Sequence, residues 1–450
     1  VPTTESLAAA LDQVMPRVRR DLADLVAIPS VSADPAHADD VRRSAEKVAE
    51  LARELGAADV SVVTEDGGQP AVIAHWPAPA GAPTVCLYAH HDVQPTGDAT
   101  RWSSEPFAAT ERGERVFGRG AADDKGGLSV HLAALRALGG RPPVGVTLFV
   151  EGEEEIGSPT LGQTLTAHAE AIAADVFVIA DSANWDVGAP AFTTTLRGLA
   201  DCVVEVATLD HALHSGQYGG VVPDALTALS RLLATLHDEH GSVAVEGLTG
   251  TDGPDLEYPE ERLRAETGIL DGVRWTGTGS VVSRLWTQPA ISVLAIDATP
   301  VAQASNTLVP SARAKLSLRV PPHLDAVDAL ERLVDHLETH APWGARVEVT
   351  RGSTGQPSTV PLTGRHAEVA RRAFADAWGV EPVEVGQGGS IPMVAEFADR
   401  FPDATVLVSA VVDPDSRMHG IDESMHLGDF GRACLAELLL LTRLAEGQPA

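Results

Sequence analysis

A chain of 450 residues exceeds one ordinary domain and is long enough for two hydrophobic cores. Its formal charge of -30, from 33 Lys and Arg against 63 Asp and Glu, disfavours nucleic acid and anionic membrane as partners and makes metal cations natural ones. Three distant cysteines, Cys86, Cys202 and Cys434, read as reduced, buried thiols and exclude a CxxC metal cluster. In chain order, residues 4–26 carry helical periodicity (Leu7, Leu11, Val14, Val18, Leu22, Leu25), with Pro16 expected to kink or split the run. A second amphipathic helix is expected over 39–55, then β-rich runs at 58–63, 70–76 and 84–90. A helix over 126–138, a buried strand at 144–152, a helix at 161–174 and a strand at 175–181 follow. Nearly continuous apolar strands alternating with helices indicate an α/β domain with a mostly parallel sheet flanked by helices.

The pattern changes near Leu196. Residues 199–208 alternate as a half-exposed antiparallel strand, and a helix is expected at 224–238. Residues 241–290 read as an irregular excursion rich in Gly, Asp and Thr. Strands at 291–297, 312–320 and 345–350 with a helix at 325–339 complete an α+β pattern. The α/β pattern then returns: a helix at 364–378, a turn-rich segment at 386–392, a strand at 404–410 and a helix at 428–446. The expected organisation is a catalytic domain over 1–195 and 353–450, interrupted by an inserted α+β domain over 196–352. The opening residues lack a basic start followed by an apolar core. No run reaches the roughly 18 apolar residues of a membrane span. A cytoplasmic protein is the expectation.

In open α/β sheets, ligands gather at the carboxyl ends of strands. Here the apolar runs end in His90, His91 and Asp92, in Glu151 to Glu155, and in Asp181, while Asp123, Asp124 and His419 follow short connections. So many acids on one rim would repel each other, and a cation resolves the conflict. Imidazoles and carboxylates without thiolates suit zinc, manganese or cobalt in a hydrolytic site. Two such ions bridged by a carboxylate are a known arrangement for amide hydrolysis, with another carboxylate moving the proton from water to the leaving amine.

HHDVQPTGD (90–98), GRGAADDKGG (118–127), EGEEEIGSP (151–159), AD (180–181), LHSGQYGG (213–220) and GGSIP (388–392) resemble, in order, the motif series of the M20 metallopeptidases. That family includes carnosine-type dipeptidases and N-acyl-amino-acid deacylases. The resemblance spans about 85–425 and implies a catalytic domain with an inserted lid or dimerisation domain. It implies two divalent ions, zinc first with manganese or cobalt as alternatives, held by His90, Asp123, Glu155, Asp181 and His419. Asp123 would be the bridging carboxylate, and the bond from Asp123 to Asp124 would be cis. Asp92 would orient His90, and Glu154 would be the general base. His214 would reach the active site of the partner in a homodimer and support the oxyanion. Arg319 and Asn306 would hold the substrate carboxylate, with Gly389 and Ser390 offering backbone N–H groups.

The DVQP tetrad resembles the dipeptidase branch, so the expected activity is cleavage of the amide bond of dipeptides or similar small peptides. The near alternative is an N-acyl-amino-acid deacylase with the same site, and the alternative of another class is a non-catalytic metal-binding scaffold. Ala89, His91 and Glu153 depart from the family pattern, and the last two raise the prospect of an altered pocket charge. His426 competes with His419 as terminal ligand, and His211 with His214; the HGIDE and SGxxGG contexts favour His419 and His214. Asp124 reads in part as a helix N-cap.

Overall fold

The computed structural model describes residues 2–389, 392–409 and 411–447. The chain divides into two compact units, one of residues 1–194, 360–385 and 396–450, the other of 195–359 and 386–395. The expected stretch 353–450 is therefore shared between them. Within the second unit, Ser358 pairs with Leu196, and the Arg197 N–H donates to the Gln387 carbonyl at 3.1 Å, which draws both segments in.

The first unit is built on six strands in the order Asp59–Val63, Ala71–Trp76, Gly145–Glu151, Thr84–His90, Val176–Ile179, Thr405–Val408. The last four run parallel, and the first two join antiparallel at one edge. Gly145–Glu151 and Val176–Ile179 are buried along their whole length, as strands covered on both faces must be. The helices Thr4–Val26, Lys125–Ala137, Gly364–Trp378 and Leu427–Leu444 share one apolar core with this sheet. The first helix runs unbroken through Pro16, against expectation. Pro16 and Asp12 are both exposed, so water can serve the carbonyl that loses its donor. The expected helix 161–174 is two, Leu161–Ala167 and Ala169–Ile172, parted at His168, whose φ of -119° leaves the helical region.

The second unit holds an antiparallel sheet in the order Ala290–Asp297, Ser311–Val320, Gly198–Ala207, Arg346–Gly355. Helices Ala225–Ala234 and Ala326–Thr339 pack against it through a separate core that includes Leu229, Leu232, Leu316, Leu318, Leu333 and Leu337. Asp224 and Asp325 cap these helices with their carboxylates. The expected irregular excursion contains two short helices, Glu260–Thr267 and Val281–Trp286. The first has only Leu263 buried and carries i,i+4 ion pairs, Arg264–Glu260 and Arg262–Glu266, so no apolar stripe marks it in the sequence. The second is started by Ser280, whose hydroxyl accepts from the Ser283 N–H at 3.2 Å.

Gly127, in the first turn of Lys125–Ala137, lets that helix meet the end of the strand before Asp181. A Cβ there would lie 2.0 Å from Asp124 Oδ1 and 2.4 Å from the Ala180 carbonyl oxygen. Gly431, inside Leu427–Leu444, meets nothing within 4 Å. Gly127→Ala should therefore destabilise by about 1–3 kcal/mol or more through overpacking. Gly431→Ala should stabilise by about 0.5–1 kcal/mol through backbone entropy and helix propensity. Urea unfolding of the two variants checks both signs.

Candidate active site

The parallel strands of the first unit carry polar residues at their carboxyl ends, where the backbone leaves the sheet and side chains can converge. His90 is the last residue of Thr84–His90 and is fully buried. Its Nε2 lies 3.1 Å from Asp123 Oδ1 and 4.0 Å from Asp181 Oδ2. On the far side of Asp123, His419 Nε2 lies 3.0 Å from Asp123 Oδ2 and 3.2 Å from Glu155 Oε2. Two donor groups result, His90–Asp123–Asp181 and Asp123–Glu155–His419, each with its ligand atoms within 4.8 Å of one another and sharing Asp123. The Asp123–Asp124 peptide is cis.

Each of these side chains is held by a neighbour. His90 Nδ1 faces Asp92, at 3.3 Å from Oδ1 and 3.1 Å from the carbonyl oxygen. Both carboxylate oxygens of Asp92 accept backbone N–H groups, from Glu154 at 3.2 Å and Glu155 at 3.1 Å. One buried acid thus orients an imidazole and anchors the segment bearing Glu154 and Glu155. Gln94 holds Glu155: its backbone N–H donates to Oε1 at 3.0 Å and its side-chain amide to Oε2 at 2.8 Å. Glu154 Oε2 lies 4.0 Å from His90 Nε2, beside the first group.

The electrostatics follow from crowding. Burial pushes Asp181 up to about 7, with Asp123 and Glu155 adding to it and His90 opposing. Burial also holds Glu154 well above the usual carboxylate range, and the charge of Asp181 reinforces this. For His90 burial acts in the opposite sense, yet hydrogen bonds to Asp123 and Asp92 raise it well above an ordinary histidine. Two imidazoles and three carboxylates face one region, with no thiolate among them. That donor set fits divalent cations of the zinc, manganese and cobalt type, which neutralise the acids and accept imidazole nitrogen.

Other residues singled out in the sequence do different work. His91 is buried, with Nε2 2.9 Å from the Pro70 carbonyl oxygen, and burial pushes it down to about 4, so it adds no charge near neutrality. Glu153 is buried too. Its Oε1 accepts from the Thr160 N–H at 2.6 Å and hydroxyl at 2.7 Å, and its Oε2 from the Gln69 N–H at 3.0 Å. Both side chains fasten loops, which is the structural role expected of His91 and takes the place of the altered pocket charge that Glu153 raised. His426 caps Leu427–Leu444, its Nδ1 accepting from the Asp429 N–H at 3.2 Å. Asp124 occupies the N-cap position of Lys125–Ala137 but makes no capping bond; its Oδ2 accepts from the His90 N–H at 3.2 Å.

In the second unit, His214 is exposed and pairs with Thr307, and the Ser215 N–H donates to the Asn306 carbonyl at 2.9 Å, so His214 and Asn306 are neighbours. Arg319, on Ser311–Val320, has Arg197 as a like-charged neighbour, and neither forms an ion pair among the described residues. Arg197 is buried, donates from Nη1 to the carbonyls of Arg284 (3.3 Å) and Gln288 (3.2 Å), and is pushed down to about 10 by burial and then by Arg319. Gly388 lies against it: a Cβ there would sit 2.8 Å from Arg197 Nη2. Gly389 is half-buried beside it, whereas Ser390 lies outside the described residues. Sequence reasoning missed Arg197, Gln94 and Arg119 and gave Glu423 no role of its own. The DVQP and GRG contexts were noted, but the contacts these residues make are not local.

The family model for peptidase family M20/M25/M40 matches residues 86–442. A cysteinylglycine-S-conjugate dipeptidase of Corynebacterium striatum is 35% identical over 428 residues, covering 94% of each chain. A Cys-Gly metallodipeptidase of Schizosaccharomyces pombe is 28% identical over 453 residues, covering 91% of each. Among solved structures, the dipeptidase Dug1p of Saccharomyces cerevisiae superposes with a TM-score of 0.82 at 23% identity, over 99% of both chains, which establishes the shared fold.

Because both donor groups contain Asp123, Asp123→Asn should lower metal content at both positions, whereas Glu153→Gln should cost about 1–3 kcal/mol of stability from an unsatisfied buried contact and leave metal content unchanged. Elemental analysis after gel filtration, with thermal unfolding alongside, distinguishes the two. A Glu153→Gln protein stripped of metal would return Glu153 to the site.

Proposed function

From the premise that the chain belongs to peptidase family M20/M25/M40, we infer that it is a two-metal dipeptidase that hydrolyses the amide bond of dipeptides bearing a free C-terminal carboxylate. The observation that carries this reading is the pair of donor groups sharing Asp123, with Glu154 beside them. His90, Asp123 and Asp181 would hold one ion, and Asp123, Glu155 and His419 the other. Zinc is the first candidate and manganese or cobalt the alternatives. When bound, the ions supply a Lewis acid for the scissile carbonyl and acidify the attacking water. Glu154 takes the proton of that water and delivers it to the nitrogen of the leaving amine, a role that its place beside the donor groups allows. Asp92 keeps the His90 ring in orientation through the step.

The second unit serves as lid and dimerisation element in this reading. His214 of the partner subunit donates to the oxyanion; within one chain, Asn306 accepts the N–H of Ser215, the residue after His214, and so belongs to the same patch. Arg319 grips the substrate carboxylate, aided by backbone N–H groups at Gly389 and Ser390. The pair Arg319 and Arg197, without an acid partner among the described residues, supports an anionic ligand there. No helix among the described residues is long and apolar enough to cross a membrane. The cytoplasm is the proposed location.

Chelated and remetallated enzyme should cleave unmodified dipeptides such as Cys-Gly and β-Ala-His and spare N-acetylated amino acids; the reverse preference would make it a deacylase. Glu154→Ala should lower kcat by about 10²–10⁴-fold while both metals stay bound, which steady-state kinetics with elemental analysis would show. His214→Ala and Glu154→Ala proteins, each inactive, should regain part of the activity on mixing as heterodimers. No recovery after verified subunit exchange would place His214 outside the partner's site.

A further inference from the structure

Arg119 and Glu423 stand 304 positions apart in sequence and form a fully buried ion pair of 2.6 Å in the first unit. The pair touches three segments at once. Glu423 Oε1 accepts the N–H groups of Ala122 (3.0 Å) and Asp123 (3.1 Å), and Oε2 that of Gly120 (3.2 Å). Arg119 Nη2 donates to the Gly420 carbonyl at 3.0 Å and the Pro95 carbonyl at 3.2 Å. The guanidinium also lies 5.5 Å from the Trp102 ring centroid.

Those segments bear on every member of one donor group. Asp123, the member common to both groups, is carried by the first. His419 precedes Gly420. Pro95 follows Gln94, which holds both carboxylate oxygens of Glu155. His419 needs external support, because its side chain is 51% exposed and cannot be positioned by packing. Its backbone, at φ 62°, lies in the left-handed region, as do Arg417 (53°) and Asp422 (59°) nearby. Non-glycine residues persist there only when surrounding contacts hold them. The other donor group shares Asp123, but its two remaining members have supports of their own: Asp92 and Asp124 hold His90, and Asp181 follows the end of a buried strand.

We propose that the Arg119–Glu423 pair is the positioning device for one metal in particular, the one held by Asp123, Glu155 and His419, and that it sets the affinity difference between the two positions. This rests on the two-metal reading above. Glu423→Gln keeps the shape of the side chain but turns an amide N–H₂ toward backbone donors or toward Arg119. Arg119→Lys keeps the charge but cannot reach Glu423, Gly420 and Pro95 together.

The test is a stepwise titration of metal-free protein with Co²⁺, followed by visible absorption and elemental analysis, with thermal unfolding in parallel. Wild type should take up two equivalents. In Glu423→Gln and Arg119→Lys, one equivalent should bind about 10–100-fold more weakly while the other binds near the wild-type affinity, and the lost absorption should match that lost in His419→Ala. General destabilisation would weaken both equivalents together and leave their ratio unchanged. Should Glu423→Gln fail to fold, Arg119→Lys decides. Two equivalents bound as in wild type, or a parallel loss of both in a folded variant, overturns the proposal. His419→Ala retaining both equivalents would instead overturn the metal assignment itself.

Discussion

Electrostatic crowding at one rim of the central sheet is the constraint around which this structure is arranged. Asp123, Asp124, Glu151, Glu154 and Asp181 lie within a small buried region, and burial is the largest cause acting on each. Only Asp123 is held low, because two imidazoles converge on it. A protein conserves no stability by gathering buried carboxylates in this way. The arrangement is intelligible as a receptor for divalent cations, whose attraction for the carboxylates offsets their mutual repulsion.

The scaffold meets this demand by fastening loops rather than by packing the functional side chains themselves. Asp92 ties the Glu154–Glu155 segment to His90, Gln94 fixes Glu155, and Glu153 closes its own loop onto Thr160 and Gln69. Gly127 lets a helix approach the Ala180 carbonyl. These contacts fasten the segments that follow the strands, so the rigidity of the parallel sheet is passed to the rim. Precise placement of donors by such contacts is what a hydrolytic metal site requires.

The second unit is built on different terms. Its antiparallel sheet and two helices form an independent core, and its noted polar residues, His214, Asn306 and Arg319, are not among the buried ones. Arg197 is the exception, a buried guanidinium served by carbonyls alone.

What the sequence determined is the part governed by local patterning. Continuous apolar runs specified the parallel strands and helical stripes the covering helices, and the polar residues at the strand ends marked the rim where ligands gather, because strand ends are where side chains leave the sheet. A resemblance in six ordered motifs added which donors to group. What only the tertiary structure decided depends on contacts between distant residues. His426 and His419 look alike in sequence, but one caps a helix and the other faces Asp123 and Glu155. Glu153 and Glu155 are two residues apart, yet one fastens a loop and the other joins the donor group. The helix Glu260–Thr267 is held by ion pairs rather than by an apolar stripe, and Arg119 finds Glu423 across 304 positions. Periodicity reports which face of an element is buried; which polar atom meets which is set by the folding of separate loops onto one rim.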